Sequence, residues 1–151
     1  MSLKKLSIVF AITLILFTSN MSFSHSLSAS APAPISNQSI KDLEFIDNNM
    51  YILIKYIVAG NYKVDKVDKD IKFIEVAINT LTAETAKLPQ RDNDVILSMQ
   101  SILNYYKISL SRLKSYFETK DPDNLIDAIV SFSSGYDSSN KLRQIIGGAG
   151  K

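Results

Sequence analysis

The sequence predicts an all-α fold: an antiparallel up-down-up-down four-helix bundle, preceded by a signal peptide and a flexible tether. Three observations carry this reading. Apolar residues recur at alternating steps of three and four in four separate stretches, with no convincing strand alternation between them. The stretches are joined by short connections at residues 60–65, 88–92 and 118–121, and short links make successive long helices run antiparallel. Ahead of them stands a short apolar run with positive charge before it and small residues behind it. A helical hairpin that dimerises is the alternative arrangement of the same elements.

In the leading segment, Lys4 and Lys5 supply the positive end, and Leu6 to Phe17 form a run of twelve residues interrupted only by the hydroxyls of Ser7 and Thr13. Spanning a bilayer takes roughly 20 apolar residues. The run therefore has the length of a secretory signal rather than of a membrane helix, with an uncleaved N-terminal anchor as the competing reading. Small side chains between Ser24 and Ser30 offer cleavage sites, and Pro32 and Pro34 disfavour cutting further on. No cysteine follows the run, so no lipid can be attached through a thiol. The chain accordingly divides into a signal peptide over residues 1–28, a flexible linker over 29–38, a four-helix domain over 39–147 and a tail over 148–151.

The first helix of the domain is expected to begin near Ser39, with Ser39 and Asp42 spaced as a capping box. Its stripe is Leu43, Ile46, Met50, Leu53 and Ile57, and Gly60-Asn61 provides the stop. In the second, Val67, Ile71, Ile74, Ile78, Leu81, Thr85 and Leu88 alternate steps of four and three until Pro89. The third carries Val95, Met99, Ile102, Tyr106, Ser109, Leu113 and Tyr116, widened by a parallel row of Ile96, Leu103, Leu110 and Phe117. Asp92 or Asn93 can cap it. The fourth opens with Asp121-Pro122-Asp123, which combines a cap, a proline at the first helical position and acid in the first turn. Leu125, Ile129, Phe132 and Tyr136 continue it. Gly135 and the serines of residues 133–140 predict a soft middle or a break into two shorter helices, before Leu142, Ile145 and Ile146 resume the face.

Composition removes several kinds of chemistry. Two of the 17 basic residues, Lys4 and Lys5, lie in the signal, leaving 15 against 15 acidic ones, so charge gives no reason to propose nucleic acid or an anionic membrane as partner. Cysteine is absent, and the single histidine, His25, falls in or beside the signal. A mature chain without imidazole or thiol lacks the usual proton-transfer group near neutrality and the common zinc and haem ligands. The run KVDKVDKD at residues 63–70 interleaves Asp65, Asp68 and Asp70 with lysines, which reads as a solvated helix start rather than a calcium site. DPDNLID at residues 121–127 has Leu125 at the fifth position and no glycine at the sixth, so it reads as a cap. A catalytic carboxylate pair is not expected, because Glu44, Glu75, Glu84 and Glu118 all fall on polar faces. No catalytic residue, cofactor or metal is predicted.

What remains is surplus apolar surface. Phe45, Ile52 and Tyr56 form a second row on the first helix, off its main stripe, and Tyr105 lies beside the stripe of the third. Amphipathic aromatic residues are favoured at protein interfaces, so these four are the candidate partner-binding residues, with a first helix buried on two sides as the competing reading of its second row. The expectation is an exported, non-enzymatic interaction protein of the inhibitor, immunity or adaptor kind. Its partner would be another envelope or secreted protein or a second copy of itself, and its membrane contact would be through the signal segment alone. Two alternatives stand beside it: a membrane-active helical protein that inserts after export, and a carrier of a small apolar ligand held between the helices.

Overall fold

A computed structural model describes residues 35–60, 62–88 and 94–148. The expected signal peptide and cleavage site, most of the expected linker, Asn61, Pro89, the proposed caps Asp92 and Asn93, and the end of the tail lie outside the described residues.

Four helices make up the described chain: α1 (Asn37–Val58), α2 (Val64–Ala86), α3 (Asp94–Thr119) and α4 (Pro122–Gly148). Each packs on the next in sequence, and α4 closes the ring against α1, which is the up-down-up-down bundle. The stripes predicted from the 3.6-residue period form the core: Leu43, Ile46 and Met50 of α1, Ile71, Ile74 and Ile78 of α2, and Ile96, Met99 and Ile102 of α3 are all buried.

Local chemistry sets the ends. The start of α1 lies earlier than expected, at Asn37, because Ser36 rather than Ser39 is the cap. Ser36 Oγ accepts from the backbone N–H of Ser39 at 3.1 Å, and Asp42 is occupied by Gln38, whose amide donates to it at 2.7 Å. Ser39 is itself buried one turn into the helix. At the other end Gly60 takes φ +74°, the left-handed conformation that ends a helix at least cost in glycine. Lys120 adopts the same conformation after α3, with φ 59°, and its Nζ lies 5.1 Å from the ring centre of Phe117. Asp121 caps α4 as read, its Oδ1 accepting from the N–H of Asp123 at 3.0 Å. In and just after the KVDKVDKD run, Lys66 pairs with Asp70 and Lys72 with Asp68 across single turns, with Lys66, Asp68 and Lys72 exposed and Asp70 partly so.

The fourth helix resolves an open alternative: it is one continuous helix, with no break at residues 133–140. Its small residues admit α3 closely. Ser109 Oγ donates to the backbone carbonyl of Ala128 at 2.8 Å, and Gly135 lies under the ring of Tyr106. The stretch that reads as weak packing is where the two helices come nearest. Ser133 nearby buries a hydroxyl that meets no partner among the described residues. Replacing it with alanine removes an unpaired buried donor and raises helix propensity, so Ser133→Ala is expected to raise stability by about 1 kcal/mol in urea denaturation.

Candidate functional site

Two kinds of place could carry function: a polar cluster inside the bundle and apolar faces outside it. The cluster centres on Asp47, on the α4 side of the α1 stripe and 1% exposed. Its Oδ1 accepts from the Tyr106 hydroxyl at 2.5 Å. Its Oδ2 accepts from Ser139 Oγ at 2.7 Å and forms an ion pair with Arg143 Nη2 at 3.0 Å. Arg143 is steadied in turn by Asn140, whose Oδ1 accepts from the same nitrogen at 2.6 Å. One carboxylate thus joins α1, α3 and α4.

Electrostatics in this cluster favour neutral forms. Burial is the largest influence on Asp47 and pushes its carboxyl above the usual range, against the opposing pull of the Tyr106 and Ser139 hydrogen bonds and the Arg143 charge. Burial also raises the Tyr106 phenol, helped by the neighbouring carboxylate. Ser139 is fully buried, so its hydroxyl does not face solvent. Beside Asp47 stands an arginine rather than a second buried acid. The arrangement can orient three helices. Among the described residues, no group of three His, Asp or Glu side chains comes together that could hold a metal ion.

Outside, the four residues singled out from sequence fall in different surroundings. Phe45 is 45% exposed and meets Phe73 of α2 edge to face, with ring centres 5.8 Å apart. Ile52, two turns on, is 64% exposed. Tyr56 is half-buried against the core beneath Lys66, whose Nζ lies 5.4 Å from its ring centre. Tyr105 lies across the bundle from α1, lining an open groove of about 750 Å³ between α3 and α4. The structure therefore brings Phe45 and Ile52 onto one face and separates Tyr105 from them.

Phe73 and Val76 of α2, and Leu97 and Ile108 of α3, also expose large apolar side chains. The sequence reading passed over them, although the signal was the same as at Phe45: apolar residues at helical spacing displaced from the buried stripe. No helix among the described residues is long and apolar enough to cross a membrane. No family model, no curated protein and no solved structure matches the chain.

Proposed function

We propose that this is an exported, non-enzymatic interaction protein that binds a protein of the envelope or extracellular space through the outer face of α1 and α2. The observation that supports it is the exposed Phe45–Phe73 pair between α1 and α2, with Ile52 and Val76 also in solvent on the same two helices. Ile52 and Val76, at 64% and 65%, are the most exposed of the large apolar side chains described. Two phenylalanines stacked edge to face at the surface make a rigid apolar platform, the kind of anchor on which binding energy concentrates. Near-zero charge in the mature chain turns the reading towards shape and apolar contact rather than towards a charged polymer. Export rests on the charged, apolar and small-residue order of the first 30 residues.

The test compares what co-purifies with the tagged exported protein and with its Phe45→Asp/Ile52→Asp variant. Ile52 is exposed and Phe45 half-exposed, so the variant is expected to stay folded while losing about 1–2 kcal/mol with the Phe45–Phe73 contact and helix propensity. It is expected to lose the partner that the parent retains. An unchanged set of retained proteins overturns the reading, and finding the protein inside the cell with Met1 still in place overturns the export step.

A further inference from the structure

We infer that the outer face of α3 is a self-association surface that pairs two copies of the chain antiparallel about a two-fold axis. This goes beyond the partner face of α1 and α2 and rests on a different helix. On its solvent side, α3 presents Asp94, Leu97, Ser101, Tyr105, Ile108 and Arg112, at steps of 3, 4, 4, 3 and 4, all exposed. This is a second stripe at helical spacing, on the face opposite the buried one.

Its order is self-complementary. A two-fold contact requires that whatever residue i meets, its partner meets i in return. Centred at the level of Leu103, the antiparallel arrangement sets Ser101 against Tyr105 of the second copy, small against large, and brings Leu97 to within half a residue of its Ile108. It also sets Asp94 against Arg112 of the second copy at both ends. Leu97 and Ile108 are each 48% exposed. They stand eleven residues apart, or about 16 Å along the helix axis. The groove between α3 and α4 lies alongside, with Ser98, Ser101 and Ser138 among its small lining residues and Ile145 at its edge. It has room for the Tyr105 and Ile108 side chains of the second copy. Arg112 is held only loosely within its own chain, 3.6 Å from Asp127 and 3.4 Å from Asn124 of α4, so it can turn to a closer acid. One helix pair with a flanking groove makes a small interface, which fits a concentration-dependent dimer rather than an obligate one.

Sedimentation equilibrium of the purified chain over a range of concentrations tests this. The parent is expected to dimerise, and Leu97→Asp/Ile108→Asp to remain monomeric with an unchanged circular dichroism spectrum. Asp94→Arg and Arg112→Asp, each counted twice by the symmetry, are each expected to weaken the dimer about tenfold. Combining them in one chain restores it. A parent that stays monomeric throughout overturns the inference. So does a dimer indifferent to Leu97→Asp/Ile108→Asp, or one in which the double reversal is weaker than either single change. The α3 variants are expected to keep whatever partner the α1–α2 face retains, so the two readings can fail separately.

Discussion

Asp47→Ala is expected to cost about 3–5 kcal/mol of folding stability, read as a fall of roughly 10–20 °C in the melting midpoint. The loss is large because truncation leaves three donors behind. The Tyr106 hydroxyl, Ser139 Oγ and Arg143 all point at the space the carboxylate occupied, and Tyr106 and Ser139 are wholly buried. Tyr106→Phe removes one donor and keeps the ring, so it costs less, about 1–3 kcal/mol. If Asp47→Ala melts within a degree or two of the parent, the cluster does not hold the helices together.

The same group makes stability depend on pH, with a sign that follows from burial. The folded state raises the Asp47 pKa and so prefers the protonated acid more than the unfolded chain does. The stabilisation is complete below the unfolded value of about 3.9 and is lost as pH rises through the higher folded value. Burial sets the upward direction and Glu44 adds to it, while the Tyr106 and Ser139 hydrogen bonds and the Arg143 charge oppose it. Melts run from mild acid to neutrality are expected to show the Asp47 contribution declining with pH, and Asp47→Asn to flatten it. A parent whose advantage over Asp47→Asn grows with pH would reverse the sign.

Gly135→Ala is expected to lower stability by about 1–2 kcal/mol, although alanine is the better helix former by about 1 kcal/mol. A Cβ at this position would lie 2.6 and 2.9 Å from two ring carbons of Tyr106 and 3.2 Å from Tyr105 Cβ. The ring has nowhere to go: its hydroxyl is tied to Asp47, and its face stacks on Phe132 with centres 6.2 Å apart. The backbones of α3 and α4 must part instead. Urea denaturation of Gly135→Ala alone and combined with Tyr106→Leu separates packing from propensity. In the second background the two ring contacts are gone and only the 3.2 Å approach to Tyr105 Cβ remains, so alanine is expected to cost clearly less than in the parent. A stabilising effect in the parent itself would mean that the helices do not approach as closely as described.

The bundle was legible because burial on a helix repeats with the helix, so Leu43, Ile46 and Met50 announce the inner face without knowledge of its neighbours. Asp47 was not, because a charged residue reads as surface by type. Its position told otherwise, four after Leu43 and three before Met50, but only a partner could make that position tolerable. Those partners stand 59 and 92 residues away at Tyr106 and Ser139, where no local pattern links them. Gly135 read as a weakness for a related reason. Its value depends on the register of α4 against α3, which periodicity does not contain. The cap of α1 slipped from Ser39 to Ser36 because two serines one turn apart offer the same hydroxyl, and the backbone used the earlier one. On the outside, Phe45 and Ile52 were readable as surplus, whereas their neighbour Phe73 required the pairing of α1 with α2.

Because Asp47 of α1 is satisfied by residues of α4, the fold carries its own check on whether the fourth helix has been made. A product that stops before Ser139 can assemble α1, α2 and α3 but must bury an acid lacking two of its three donors, a state costly enough to stay open to proteolysis. Only when the later turns of α4 arrive does the latch close, so a stop just before Ser139 is expected to leave Asp47 as poorly met as one placed before α4 begins.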